Sequence, residues 1–149
     1  MEVFRIVKSE YAGTLYASGR ANRWNYPEER VIYTAGSRSL ACLENVVHSS
    51  GEALQQTFMV VVVYVPDELA IETIHLNDLP DDWYTLARHP VCQQIGSEWI
   101  HSQKTAVLKV PSAIIHEEAN FVLNPQHPDY PQIQIAQRKA FAFDPRIKS

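Results

Sequence analysis

From Thr57 to Val65 the chain reads Thr-Phe-Met-Val-Val-Val-Val-Tyr-Val, nine residues in which β-branched and aromatic side chains follow one another almost without a polar break. A strand that alternates apolar and polar residues can leave one face in water, but this one cannot. It is expected inside a sheet covered on both faces, and Pro66-Asp67 ends it. The run also falls far short of the roughly 20 apolar residues that a bilayer-spanning helix needs.

Covering both faces of a sheet takes a chain with enough apolar residues for two layers. The 149 residues are 46% hydrophobic and 20% charged, which suits one domain spanning residues 1–149. No repeat, low-complexity tract or linker interrupts them. The formal charge of −4 and pI near 5.8, with 13 basic residues scattered rather than striped, argue against direct nucleic-acid binding by this chain. Met1-Glu2-Val3-Phe4-Arg5 begins as a strand would and has no signal-peptide pattern. No membrane association and a cytoplasmic location are the expectations. Cys42 and Cys92 belong to no Cys-x-x-Cys motif and are expected to be buried free thiols.

The remaining elements follow from pattern. Val3 to Val7 and Arg30 to Thr34 read as strands, and Ala35-Gly36-Ser37 turns into a helix over Arg38 to His48 with Ser37 or Ser39 as its cap. Leu40, Leu43 and Val47 give that helix its apolar spacing, with Glu44 at the border. Tyr16 to Arg30 has no sustained period, so Arg23 is expected on a loop or short strand facing a cleft. Ile71 to Asp82 is irregular, with a short strand possible over Ile71 to His75. Pro90 opens a helix in which Val91, Ile95 and Trp99 form an apolar stripe. Thr105 to Val110 and Ile133 to Ala142 complete the strands. Strands dispersed among a few helices predict an α+β domain on a mixed, mostly antiparallel sheet; the βα alternation is too irregular for a doubly wound fold.

Five residues carry potential chemistry, each beside a plainer role. Arg23 offers a planar fork for phosphate, with Trp24 as an apolar wall, or it pairs with Glu28 or Glu29. Tyr33 either stacks on a flat ring or is a core tyrosine with one hydrogen bond. Glu44 is either an exposed helix charge or an enclosed carboxylate that needs a partner or a function. Ser112 after Pro111 suits a turn or cap, and Asn124-Pro125 is a common turn pair. His48, His101 and His116 lack metal-ligand spacing, so no metal site is expected.

The order of these residues and their surroundings resembles the RES domain family of bacterial toxins. The likeness runs through Phe4-Arg5-Ile6, Arg23-Trp24-Asn25, Ser39-Leu40-Ala41-Cys42-Leu43-Glu44, Val46-Val47-His48, Ile95-Gly96-Ser97-Glu98-Trp99, Val110-Pro111-Ser112 and Leu123-Asn124-Pro125. Arg23, Glu44 and Ser112 correspond to the Arg, Glu and Ser that label the family. Glycine often follows the Arg-Trp-Asn stretch there, whereas here Tyr26-Pro27-Glu28-Glu29 does, adding two acids that would oppose a pyrophosphate if they faced it.

The resemblance implies a fold similar to ADP-ribosyltransferase toxins and an enzyme that breaks the nicotinamide–ribose bond of NAD by hydrolysis or phosphorolysis. NAD is then a consumed substrate, and no recycled cofactor is required. It implies a partner as well, a small helical antitoxin of the Xre/ParS type in a hetero-oligomer. Glu44 would be the catalytic carboxylate and Arg23 the group holding pyrophosphate or ribose. Tyr33 would stack on nicotinamide, and Ser112 would line the same pocket, with Asn124 as a further polar contact. An ADP-ribosyltransferase that modifies a protein, a non-enzymatic binding module, and a structural subunit whose Glu44 forms a buried salt bridge are the alternatives.

Overall fold

Seven strands in a single sheet organise the protein, and the computed structural model describes residues 1–148. In chain order the strands are β1 (Glu2–Lys8), β2 (Ile32–Ala35), β3 (Phe58–Tyr64), β4 (Ile71–Thr73), β5 (Val107–Pro111), β6 (Ala119–Leu123) and β7 (Gln134–Phe141). Two α-helices, α1 (Arg38–His48) and α2 (His89–Ser102), complete the frame. The order across the sheet is β4-β5-β6-β2-β1-β3-β7. Among the described residues only β4 and β5 run parallel; every other pair is antiparallel. The mixed, mostly antiparallel α+β domain expected from the sequence is the fold observed.

The valine run forms β3, paired to β1 over seven residues and to β7 on its other side, with Val60 to Val63 all buried. Alternation divides its side chains between the faces. Phe58, Val60 and Val62 join Phe4 and Ile6 of β1 beneath Leu40 and Ala41 of α1. Val61 and Val63 point the other way, where Ala12, Leu69, Ile133 and the partly buried Leu15 and Tyr130 cover the sheet. One face thus carries helices and the other carries irregular segments.

The register places α2 on the same face as α1. Phe4 pairs with Ala35, Tyr33 with Val122 and Val122 with Leu108, so these side chains share one face with the layer under α1. Leu108, Val110 and Val122 pack there against Cys92 and Trp99 of α2, together with Trp24 and Trp83. The two helices cover different ends of one face, and the gap between them lies over β2, β1 and the start of β6.

Sequence and structure differ in several places, and β5 begins at Val107 rather than Thr105. No strand was expected over β6, whose five residues pair with β2 and β5 and join the two halves of the sheet. The second strand begins at Ile32 rather than Arg30. Of the expected stripe on α2, Trp99 is buried and Ile95 is partly buried against the same layer, but the other fully buried positions are Cys92 and Gly96 rather than Val91. Gly96 is the reason, because the helix lies so close to the Trp24 backbone that a Cβ at Gly96 would sit 1.7 Å from its carbonyl oxygen. Cys92 is buried as expected, but Cys42 is only half-buried.

Candidate active site

The gap between the helices is a cavity of about 540 Å³, within the usual range for sites that hold small molecules. Arg23, Tyr33, Glu44 and Asn120 line it, with Tyr84 and His89. Three of the five residues expected from the sequence therefore meet at one opening, although Glu44 comes from α1, Tyr33 from β2 and Arg23 from a loop.

Arg23 sits on a four-residue turn closed by backbone pairing between Asn22 and Asn25. The turn is held from inside and outside. Trp24 donates its backbone N–H to the Tyr33 hydroxyl at 3.1 Å, and that hydroxyl donates to Asn25 Oδ1. Gln93 of α2 donates to the carbonyls of Asn22 and Asn25. The guanidinium donates to the carbonyls of Trp83 (3.2 Å) and Tyr84 (2.9 Å) and lies over the Trp83 ring, 5.6 Å from its centroid. Arginine has five N–H donors, so the fork keeps donors for an anion while bracing that loop.

Neither Glu28 nor Glu29 pairs with Arg23, so the ion-pair alternative is not what the structure shows. Glu29 accepts from the Tyr26 N–H at 2.7 Å and from Ser97 Oγ at 2.6 Å, which ties the loop to α2. Glu28 is exposed in a left-handed turn conformation with φ of 71°. Neither acid lines the cavity, and the electrostatic objection raised by Tyr26-Pro27-Glu28-Glu29 is absent.

Burial pushes the Tyr33 phenol well above its ordinary range, outweighing the opposing effects of the Trp24 hydrogen bond and the Arg23 charge. The hydroxyl stays neutral and serves the turn, leaving the ring as the part that lines the cavity. His89, at the start of α2, is held below the usual histidine range by burial first and then by the charges of Arg23 and His48.

Glu44 is half-buried on α1, whose start is capped by Ser37 Oγ accepting from the Leu40 N–H at 3.0 Å. Its Oε2 accepts from Asn120 Nδ2 at 2.6 Å and from Ser112 Oγ at 3.4 Å. No ion pair among the described residues includes Glu44, so the buried salt-bridge alternative does not describe it. Its carboxylate is oriented by neutral donors, with no cation paired to it among the described residues.

Ser112 and Asn124 are placed differently from the expectation. Ser112 is fully buried and does not line the cavity. Its hydroxyl accepts from the N–H groups of Ile114 and Ile115, both at 3.1 Å, and turns its proton toward Glu44. It supports the carboxylate from behind. Asn124 lies beyond the far end of β6, also outside the cavity, where its Oδ1 accepts from the Gln126 N–H at 3.0 Å. That is the turn role of an Asn-Pro pair. Asn120, Tyr84 and His89 line the cavity without having been singled out from the sequence, and so does His48, which the sequence offered only as a metal ligand to be set aside and as part of the family likeness. No spacing signal links Asn120 to Glu44, which are 76 residues apart.

Among the described residues no group of three or more His, Cys, Asp or Glu side chains could hold a metal ion, and no helix is long and apolar enough to cross a membrane.

Comparison with known proteins sets this geometry in a family. Over 127 residues the chain is 39% identical to the Prs ADP-ribosylating toxin of Sphingobium sp. (strain YBL2), covering 84% of this chain and 79% of that protein. It is 32% identical over 153 residues to Toxin Res of Yersinia enterocolitica, covering 99% and 100% of the two. A chain in the crystal structure of the M. tuberculosis MbcT–MbcA toxin–antitoxin complex has the same fold, with a TM-score of 0.80 at 19% identity over 98% of this chain and 85% of that one. The RES domain model matches residues 2–144, and with these relatives it shows that the chain belongs to the RES domain family of toxins.

Proposed function

We propose that this protein is the toxin of a toxin–antitoxin pair, and that it breaks the nicotinamide–ribose bond of NAD, consuming NAD as its substrate. The observation that carries the reading is Glu44, a carboxylate oriented by Asn120 and Ser112 on the wall of a cavity that Arg23 and Tyr33 also line. Breaking that bond leaves positive charge on the ribose, an oxocarbenium-like state that a fixed carboxylate stabilises. Nicotinamide departs neutral, so no general acid is needed to protonate it.

Arg23 holds the pyrophosphate or the neighbouring ribose through its uncommitted donors, and the Tyr33 ring provides a flat wall for nicotinamide. Glu44 binds the ribose hydroxyls or orients the acceptor. With water as acceptor the products are ADP-ribose, nicotinamide and a proton; with phosphate, a phosphorylated ADP-ribose replaces ADP-ribose. Transfer to a protein side chain is the second reading, favoured because the relative 39% identical is named an ADP-ribosylating toxin. A partner is supported by the structural relative, which was solved as a toxin–antitoxin complex. An antitoxin of the Xre/ParS type covering the cavity mouth and Arg23 would hold the toxin inactive in the cytoplasm.

Mass spectrometry of NAD incubated with purified protein, with and without phosphate, tests the reading. Free nicotinamide is expected, together with ADP-ribose or its phosphorylated form. Nicotinamide release only when a protein acceptor is present would select the transferase reading, and intact NAD would overturn both. In cells, production of the chain without its partner is expected to lower NAD and arrest growth.

A further inference from the structure

We infer that Asn120 is a positioning residue for Glu44, a role that rests on the NAD reading and that neither the family resemblance nor the spacing of the sequence assigns. Its amide lies 2.6 Å from Glu44 Oε2, the shortest contact that carboxylate makes. An ionised carboxylate only accepts hydrogen bonds, so the Asn120 atom facing it is the NH₂ group. Oε2 is thereby engaged by Asn120 and Ser112, while Oε1 has no hydrogen-bond partner among the described residues and is the oxygen left for substrate.

The fold gives Asn120 little freedom to do anything else. It sits in β6 with Ala35 of β2 on one side and Val110 of β5 on the other. The junction from β2 into α1 is tied to the same spot, because Gly36 donates its N–H to the Ala119 carbonyl at 3.0 Å. One end of Glu44's support is therefore the start of its own helix and the other is a strand flanked on both sides. The second amide atom, Asn120 Oδ1, is enclosed without a hydrogen-bond partner among the described residues. A buried acceptor left unpaired weakens the folded state, so an asparagine here is poorly explained by stability alone. Aiming Glu44 explains it.

A double-mutant cycle with Glu44→Gln distinguishes this role from a merely structural one. Single-turnover nicotinamide release at saturating NAD is measured for the wild type, Asn120→Ala, Glu44→Gln and the double variant, with thermal melting alongside. Asn120→Ala is expected to slow the bound step by about tenfold to a hundredfold, the scale set by misplacing a reacting group, while KM changes less than about threefold. In the Glu44→Gln background the same substitution should cost nothing further. Additive losses, or near-normal release by a folded Asn120→Ala protein, would overturn the role while leaving the NAD reading in place. A wild-type protein that releases no nicotinamide would overturn both.

Asn120→Asp supplies a second arm should the alanine variant fail to fold. It keeps the shape of the side chain but replaces the donor by a carboxylate beside Glu44. Two like charges that close favour sharing a proton, and the protonated form can donate again. Its rate relative to the wild type should climb as pH is lowered from about 8 to about 5. A ratio that stays flat would count against the role.

Discussion

Glu44 is oriented by its neighbours without being neutralised by them. Asn120 and Ser112 donate neutral hydrogen bonds to one carboxylate oxygen, and no cation pairs with it among the described residues. Glu44→Gln should therefore stay folded and bind NAD, yet lose about two to three powers of ten in single-turnover nicotinamide release, the cost of one preorganised electrostatic group. Arg23→Lys should behave differently. It keeps the charge but loses the fork that braces the Trp83 and Tyr84 carbonyls, so it should raise KM more than it lowers the bound rate and should also lower the melting temperature.

Tyr33 predicts a pH effect on stability. Its folded pKa is raised, so above the ordinary tyrosine value of about 10 the unfolded chain loses a proton that the folded chain keeps. Its contribution is fully present below pH of about 10 and declines as pH rises further. Tyr33→Phe should lose about 1–3 kcal/mol near neutrality, because the Trp24 N–H and Asn25 Oδ1 lose their partner, and should show a shallower alkaline fall in melting temperature than the wild type. An equal alkaline slope in the two proteins would remove Tyr33 from the effect.

Elements rather than single contacts decide where Arg23 stands. Helix α2 lies against the turn through Gly96 and Gln93, and Ser97 ties it to Glu29 just beyond, with Gly96 permitting an approach that no larger residue allows. Gly96→Ala improves helix propensity and would stabilise an isolated helix. Here its Cβ would meet the Trp24 carbonyl at 1.7 Å, so the helix or the turn must move. The expected outcome is a loss of at least about 1–3 kcal/mol in denaturant unfolding, the scale of an overpacked core, with a larger rise in KM than Arg23→Lys produces. An unchanged midpoint would mean that α2 can shift away without cost.

The whole molecule is one sheet whose two faces are covered by different means. The helices bury one face and leave the cavity between them, while irregular segments bury the other. Because β3 and β1 contribute side chains to the layers on both faces, neither layer can be lost alone. Thermal unfolding should be one cooperative transition, with fluorescence of the three tryptophans and far-ultraviolet circular dichroism giving the same midpoint. Trp24, Trp83 and Trp99 all lie in the layer under α2, so an earlier fluorescence transition would show that end of the sheet opening first.

Local pattern in the chain determined the elements with a strong period or a strong cap. The valine run had to be an interior strand, a serine at 37 or 39 had to open a helix near Arg38, and Pro66 had to end β3, because each follows from side-chain chemistry within a few residues. β6 was not legible, since Ala119 to Leu123 is short and its polar Asn120 faces the helix-covered layer, where an apolar residue would have revealed the pattern. At the site, Arg23, Tyr33 and Glu44 were legible as residue types set in recognisable surroundings. Ser112 was legible as a residue but not in its position behind Glu44, and Asn124 proved to be a turn residue. Only the tertiary structure decided which side chains meet, because hydrogen bonds between residues 68 and 76 positions apart leave no trace in local periodicity. Contact across the sheet depends on strand order and register, and those are set by how every strand shares the same buried faces.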